Sequence, residues 1–103
     1  MTITETRTPE KVTLAVEGRV DTNTSPELQD AILKAFQKGN CLELDFAQLD
    51  YISSAGLRAL LLGHKTASSK GGSMLIRNVN EDVMEIFEDT GFSDVFSIEE
   101  AEE

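Results

Sequence analysis

The apolar and polar positions of the chain alternate between two periods, which predicts short strands separated by amphipathic helices. Val12, Leu14 and Val16 alternate with Lys11, Thr13 and Glu17, the pattern of a half-buried strand, and Gly18 closes it. Residues 2–8, where Ile3 is the strong apolar side chain, form a weaker strand or a frayed end, and Pro9 and Glu10 between the two runs predict a hairpin turn. Leu28, Ile32 and Phe36, with Ala31 and Ala35, recur at helical spacing. Thr24 and Glu27 have the spacing of a capping box, Pro26 suits a first helical turn, and Gly39 and Asn40 stop this helix near Lys38.

The densest signal lies in residues 42–62, LELDFAQLDYISSAGLRALLL. Leu42, Leu44 and Phe46 alternate with Glu43 and Asp45 as a short buried strand, a tight loop follows, and Leu57, Leu60 and Leu61 then mark a helix. Lys70, Gly71 and Gly72 end that helix, and Met74 to Ile76 make another short strand. Asn80 caps a helix from about Glu81 to Thr90, with Val83, Ile86, Phe87 and Thr90 on one face and Gly91 after it. Phe92, Val95, Phe96 and Ile98 leave room for a last strand before the acidic residues 99–103, which read as a solvated end. The order strand, strand, helix, strand, helix, strand, helix predicts an α/β fold, a mixed β-sheet with helices packed against it through right-handed crossovers.

The 103 residues, 40% of them hydrophobic, suffice for one core and one domain spanning 1–103. No run approaches the length of a membrane span, and MTITETRTPE lacks the pattern of a secretory signal, so the expected location is cytoplasmic, without membrane insertion. The formal net charge of -10 argues against direct nucleic-acid binding and favours a protein partner with a complementary surface. Cys41, the single cysteine, is expected as a small buried hydrophobe at the start of its strand, and no cysteine–histidine cluster offers a metal site. Gly71 and Gly72 lack the Gly-Lys-Ser/Thr ending of a phosphate loop, so no cofactor is expected. His64, the single histidine, falls about 15 Å beyond Ser54 along the same helix, too far to activate its hydroxyl, and no catalytic residue is assigned.

Ser53 and Ser54 stand at the changeover from loop to helix, where a hydroxyl ordinarily caps free N–H groups. A second reading starts from charge, because Ser54, Ala55, Gly56 and Leu57 supply no acid to the first helical turn while Arg58 follows closely. Free N–H groups, an uncompensated dipole and Arg58 would stabilise a phosphate, and Gly56 would spare it a crowding side chain. The residues alone leave both readings open. Asp21, in the loop GRVDTNTSPEL, likewise reads as a turn aspartate or as a functional loop residue.

The segment DYISSAGLRALL resembles the signature of anti-sigma factor antagonists, of the bacterial STAS-domain family, and the resemblance extends through EGRVDTNTSPEL and FEDTGFSDVF. It implies a single STAS domain in which Ser54 is phosphorylated by an anti-sigma factor that is itself a serine kinase. It also implies a partner surface that includes Asp21, Ser53, Ser54, Gly56 and Arg58, and a serine phosphatase that reverses the modification. Many relatives carry an aspartate where this chain has Ser53. The alternative is a STAS interaction module that is not phosphorylated and serves as a nucleotide-binding, scaffold or lipid-transport accessory unit.

Overall fold

A computed structural model describes residues 1–101. Its elements, in chain order, are β1 (Thr2–Arg7), β2 (Val12–Val20), α1 (Ser25–Lys38), β3 (Cys41–Asp45), β4 (Leu49–Ile52), α2 (Ser54–Lys70), β5 (Ser73–Val79), α3 (Glu81–Thr90), a 3-10 turn (Phe92–Asp94) and β6 (Ser97–Glu100). The expected hairpin forms, with β1 antiparallel to β2 from Thr2 opposite Glu17 to Arg7 opposite Val12. The remaining pairings are parallel, and the sheet runs β1-β2-β3-β5-β6 with β4 beside the far end of β2.

Alternation fixes which face of the sheet is covered. Val12, Leu14, Val16, Leu42, Leu44, Met74 and Ile76 are buried in one core with Leu28, Ile32 and Phe36 of α1, Leu57 and Leu60 of α2, and Val83 and Phe87 of α3. Gly63 lets α1 and α2 approach, since a Cβ there would lie 2.9 Å from Ile32 Cγ2 and 2.9 Å from Met74 Sδ. On the other face Glu43 is also buried, where Lys11, just before β2, and Arg77 of β5 reach across to pair with its carboxylate. Burial pulls that carboxyl upward, but hydrogen bonds from Lys11 and Arg77 outweigh it and hold Glu43 below the ordinary range.

Several expectations need correction. The strand expected to close at Gly18, whose φ is 93°, continues to Val20 across a register shift against β4, where Gly18 faces Leu49 and Arg19 faces Tyr51, so that Asp50 of β4 is the extra residue. The tight loop after Phe46 contains a strand, β4, whose burial runs in, out, out, in and so lacks the alternation of its neighbours. Cys41 is exposed, because it begins β3 before the chain enters the core. The capping box at α1 does not form: Thr24 makes no side-chain cap bond, its hydroxyl donating instead toward the Arg19 carbonyl and accepting from the Asp21 amide. Glu99 and Glu100 are not a free end but part of β6, where Glu99 pairs with Arg77 at 3.2 Å. The rest of that tail, residues 102–103, lies outside the described residues.

Candidate functional site

Because β2 and β4 run parallel, their carboxyl ends deliver two loops to one place. The Ser53 amide donates to the Val20 carbonyl at 2.7 Å, tying the start of α2 to the residue before Asp21. This is the end of an open α/β sheet at which ligands and partners commonly meet the chain.

Ser53 is the N-cap of α2. Its backbone is extended, its hydroxyl oxygen accepts from the Gly56 amide at 3.3 Å, and its carbonyl accepts from the Leu57 amide at 2.9 Å. The capping reading therefore holds for Ser53 and leaves Ser54 spare. Ser54 is the first helical residue and is exposed, and its hydroxyl has no hydrogen-bond partner among the described residues. The first turn of α2 contains no acid, whereas α3 begins with Glu81 and Asp82. Arg58 lies one turn further along α2, exposed and without an ion pair among the described residues. At that i, i+4 spacing the two side chains are neighbours, about 6 Å apart at Cβ.

Gly56 does a different job from the one expected of it. It is buried, and a Cβ there would come within 2.6 Å of Ile52 Cγ1 and 2.7 Å of Val20 Cγ1. The glycine thus clears space for the strand ends beneath the helix rather than for a phosphate above it. Its contribution to the site is to let the first turn of α2 settle directly on β2 and β4.

Of the two roles that its sequence context left open, Asp21 fills that of the turn aspartate. Its Oδ1 accepts from the amides of Asn23 at 2.9 Å and Thr24 at 3.0 Å, which shapes the loop into α1, and at 3.1 Å it is an alternative to the Arg19 carbonyl as acceptor of the single Thr24 hydroxyl proton. The bond from the Thr24 amide is foremost in holding this carboxyl below its ordinary range, desolvation opposes it, and the other Thr24 and Asn23 bonds and the Arg19 charge assist. Asp21 is ionised near neutrality. Its Oδ2 accepts no hydrogen bond among the described residues, which leaves one carboxylate oxygen for an outside donor.

Sequence reasoning passed over two residues at this end. Arg19 and Tyr51 stand opposite each other in the β2–β4 register, and the guanidinium carbon lies 4.5 Å from the ring centroid. The available signal was an aromatic residue just before the serines, obscured because β4 was read as loop. His64 is remote in environment as well as in sequence, half-buried with its ring edge-on to Phe96 at a centroid distance of 6.0 Å.

The sequence profile of the STAS domain matches residues 2–103, and the chain belongs to that family. BtrV of Bordetella bronchiseptica, named as a candidate anti-sigma factor antagonist, is 33% identical over 89 residues, covering 85% of this chain and 77% of BtrV. That relation places the chain among the family's anti-sigma factor antagonists. A structure assigned the same role in Thermotoga maritima superposes with a TM-score of 0.87 at 19% identity, over 95% of this chain and 86% of that one. The Bacillus anti-sigma factor antagonist SpoIIAA, at 18% identity, gives 0.70 in its unphosphorylated form, over 91% of this chain and 97% of that one, and 0.73 in its phosphorylated form, over 94% and 90%. At these identities the structural likenesses show the fold.

Proposed function

We propose that this chain binds an anti-sigma factor and thereby frees a sigma factor, and that phosphorylation of Ser54 by that anti-sigma factor, acting as a serine kinase, breaks the binding. A serine phosphatase restores it. The observation that carries this reading is the acid-free start of α2, where the Ser54 hydroxyl is exposed and unspent while Ser53 does the capping. SpoIIAA, which has the same fold, exists in a phosphorylated form. The transfer chemistry is assigned to the partner, because His64 packs against Phe96 some ten residues beyond Ser54.

A phosphate adds about 1.5 to 2 negative charges and three acceptor oxygens. On Ser54 it would stand over the free N–H groups of α2 with Arg58 one turn away, so the modified chain would keep its fold. What changes is the surface offered to the partner, which must then desolvate and face a dianion. Asp21, joined to this place through the Val20–Ser53 bond, supplies a free carboxylate oxygen to the same surface.

The reading is tested with the anti-sigma kinase purified from the source bacterium, ATP and phosphopeptide mass spectrometry. Phosphate is expected on Ser54, and only when the kinase is present. Phosphate on Ser53 with Ser54 dispensable, or modification by ATP alone in a preparation free of kinase, overturns it.

A further inference from the structure

Arg19 and Tyr51 are not used by the fold. Among the described residues Arg19, which is exposed, makes no ion pair, and Tyr51, 36% exposed, is one of two large hydrophobic side chains left at the surface, the other being Val95. The adjoining residues Val20 and Ile52 are buried, so the pair occupies the outer side of the β2–β4 ribbon. At the register shift the extra residue is Asp50 of β4, immediately before Tyr51, and bulges beside functional sites re-aim the side chains that follow them. At 4.5 Å from the ring the guanidinium is held by a cation–π contact, which limits the freedom it would lose on meeting a partner.

We infer that the Arg19–Tyr51 pair is an anchor for the anti-sigma factor, receiving a carboxylate on Arg19 and a flat apolar contact on Tyr51. The inference rests on the proposed function and extends it by naming the chemistry of the partner's surface. Tyrosine and arginine are the residue types most often found to dominate interface energetics. The pair is continuous with the Ser54 site, because the residue after Arg19 is the one whose carbonyl receives the Ser53 amide. Charge complementarity selects the occupant. Although the whole chain carries -10, its exposed cations here, Arg19 and Arg58, make no ion pair among the described residues, so a uniformly basic surface that matched the bulk charge would be repelled at this point. The matching surface sets a carboxylate against Arg19 and a hydrogen-bond donor against the free Oδ2 of Asp21, an alternation that also fixes its register. A phosphate on Ser54 would repel that same carboxylate and compete for Arg19, which couples the anchor to the modification.

The experiment titrates the purified kinase against the unsubstituted chain and against Arg19→Glu, Arg19→Lys, Tyr51→Ala, Ser54→Asp and Val95→Ala. Arg19→Glu and Tyr51→Ala are expected to weaken binding by about tenfold or more with unchanged melting temperature. Arg19→Lys loses less, since lysine keeps the charge but not the planar stack, and Val95→Ala loses nothing. Because the chain has one tyrosine, isotope labelling of tyrosine gives a single ring signature, which is expected to shift when kinase saturates the unsubstituted chain. This second readout does not depend on how any variant folds. If Ser54→Asp weakens binding while Arg19→Glu and Tyr51→Ala bind normally, or if the Tyr51 signature stays put at saturation, the anchor is overturned and the proposed function stands. If the unsubstituted chain does not bind the kinase, both fall.

Discussion

Two adjacent serines do different work because a helix has one capping position and one first residue. Ser53 spends its oxygen on the Gly56 amide, and Ser54 keeps its hydroxyl. Ser54→Ala is therefore expected to abolish phosphate incorporation while binding to the kinase persists, and Ser54→Asp to weaken that binding about tenfold, a carboxylate being a partial copy of the phosphate. Ser53→Ala should still be phosphorylated but be less stable by about 1 kcal/mol, the usual cost of a lost cap, as read from chemical denaturation. Asp21 admits a finer separation. Asp21→Asn retains an oxygen for the amides of Asn23 and Thr24, so it should lower kinase affinity with little change in melting temperature, whereas Asp21→Ala should lower both. The resemblance already set Ser54 apart as the expected acceptor and Ser53 as the better placed to cap the helix start; which amide Ser53 caps was not legible, since it depends on the folded turn that brings Gly56 within reach.

Elements with a clean period declared themselves, as β2, the α1 stripe and the apolar face of α3 show, while β1 was legible only as a weak strand joined to β2 by its turn. The Asn80 side chain does accept from the Val83 amide at 2.9 Å, while its other end donates to the Leu49 carbonyl at 2.8 Å, a tie to β4 that no local pattern announces. What stayed hidden was β4, only four residues long, and the continuation of β2 past Gly18, because both depend on pairing between distant segments rather than on period. The resting place of α2 on that pair explains why Gly56 matters. Gly56→Ala would push a methyl into Ile52 and Val20, with an expected loss of about 1 to 3 kcal/mol in urea denaturation. The same substitution should slow phosphorylation of Ser54, since the first turn must lift to make room.

Across the whole molecule, acid is the condition that separates the structural charges from the rest. Glu43 and Asp21 both have folded pKa values below their ordinary ones, so each contributes stability that is present above the unfolded pKa and lost as pH falls through the folded pKa. The melting temperature should therefore decline as pH drops below the ordinary carboxylate range, and Glu43→Gln should flatten that decline while lowering stability near neutrality, where Lys11 and Arg77 lose their partner. The bond from the Ser53 amide to the Val20 carbonyl carries one more consequence. It joins segments far apart along the chain, so Ser54 acquires its setting only after the sheet has assembled. Under the proposed function, a kinase that docks on Asp21 and modifies Ser54 would act as an inspector of folding: nascent or damaged copies present the same peptide but not the same place, and would escape the mark.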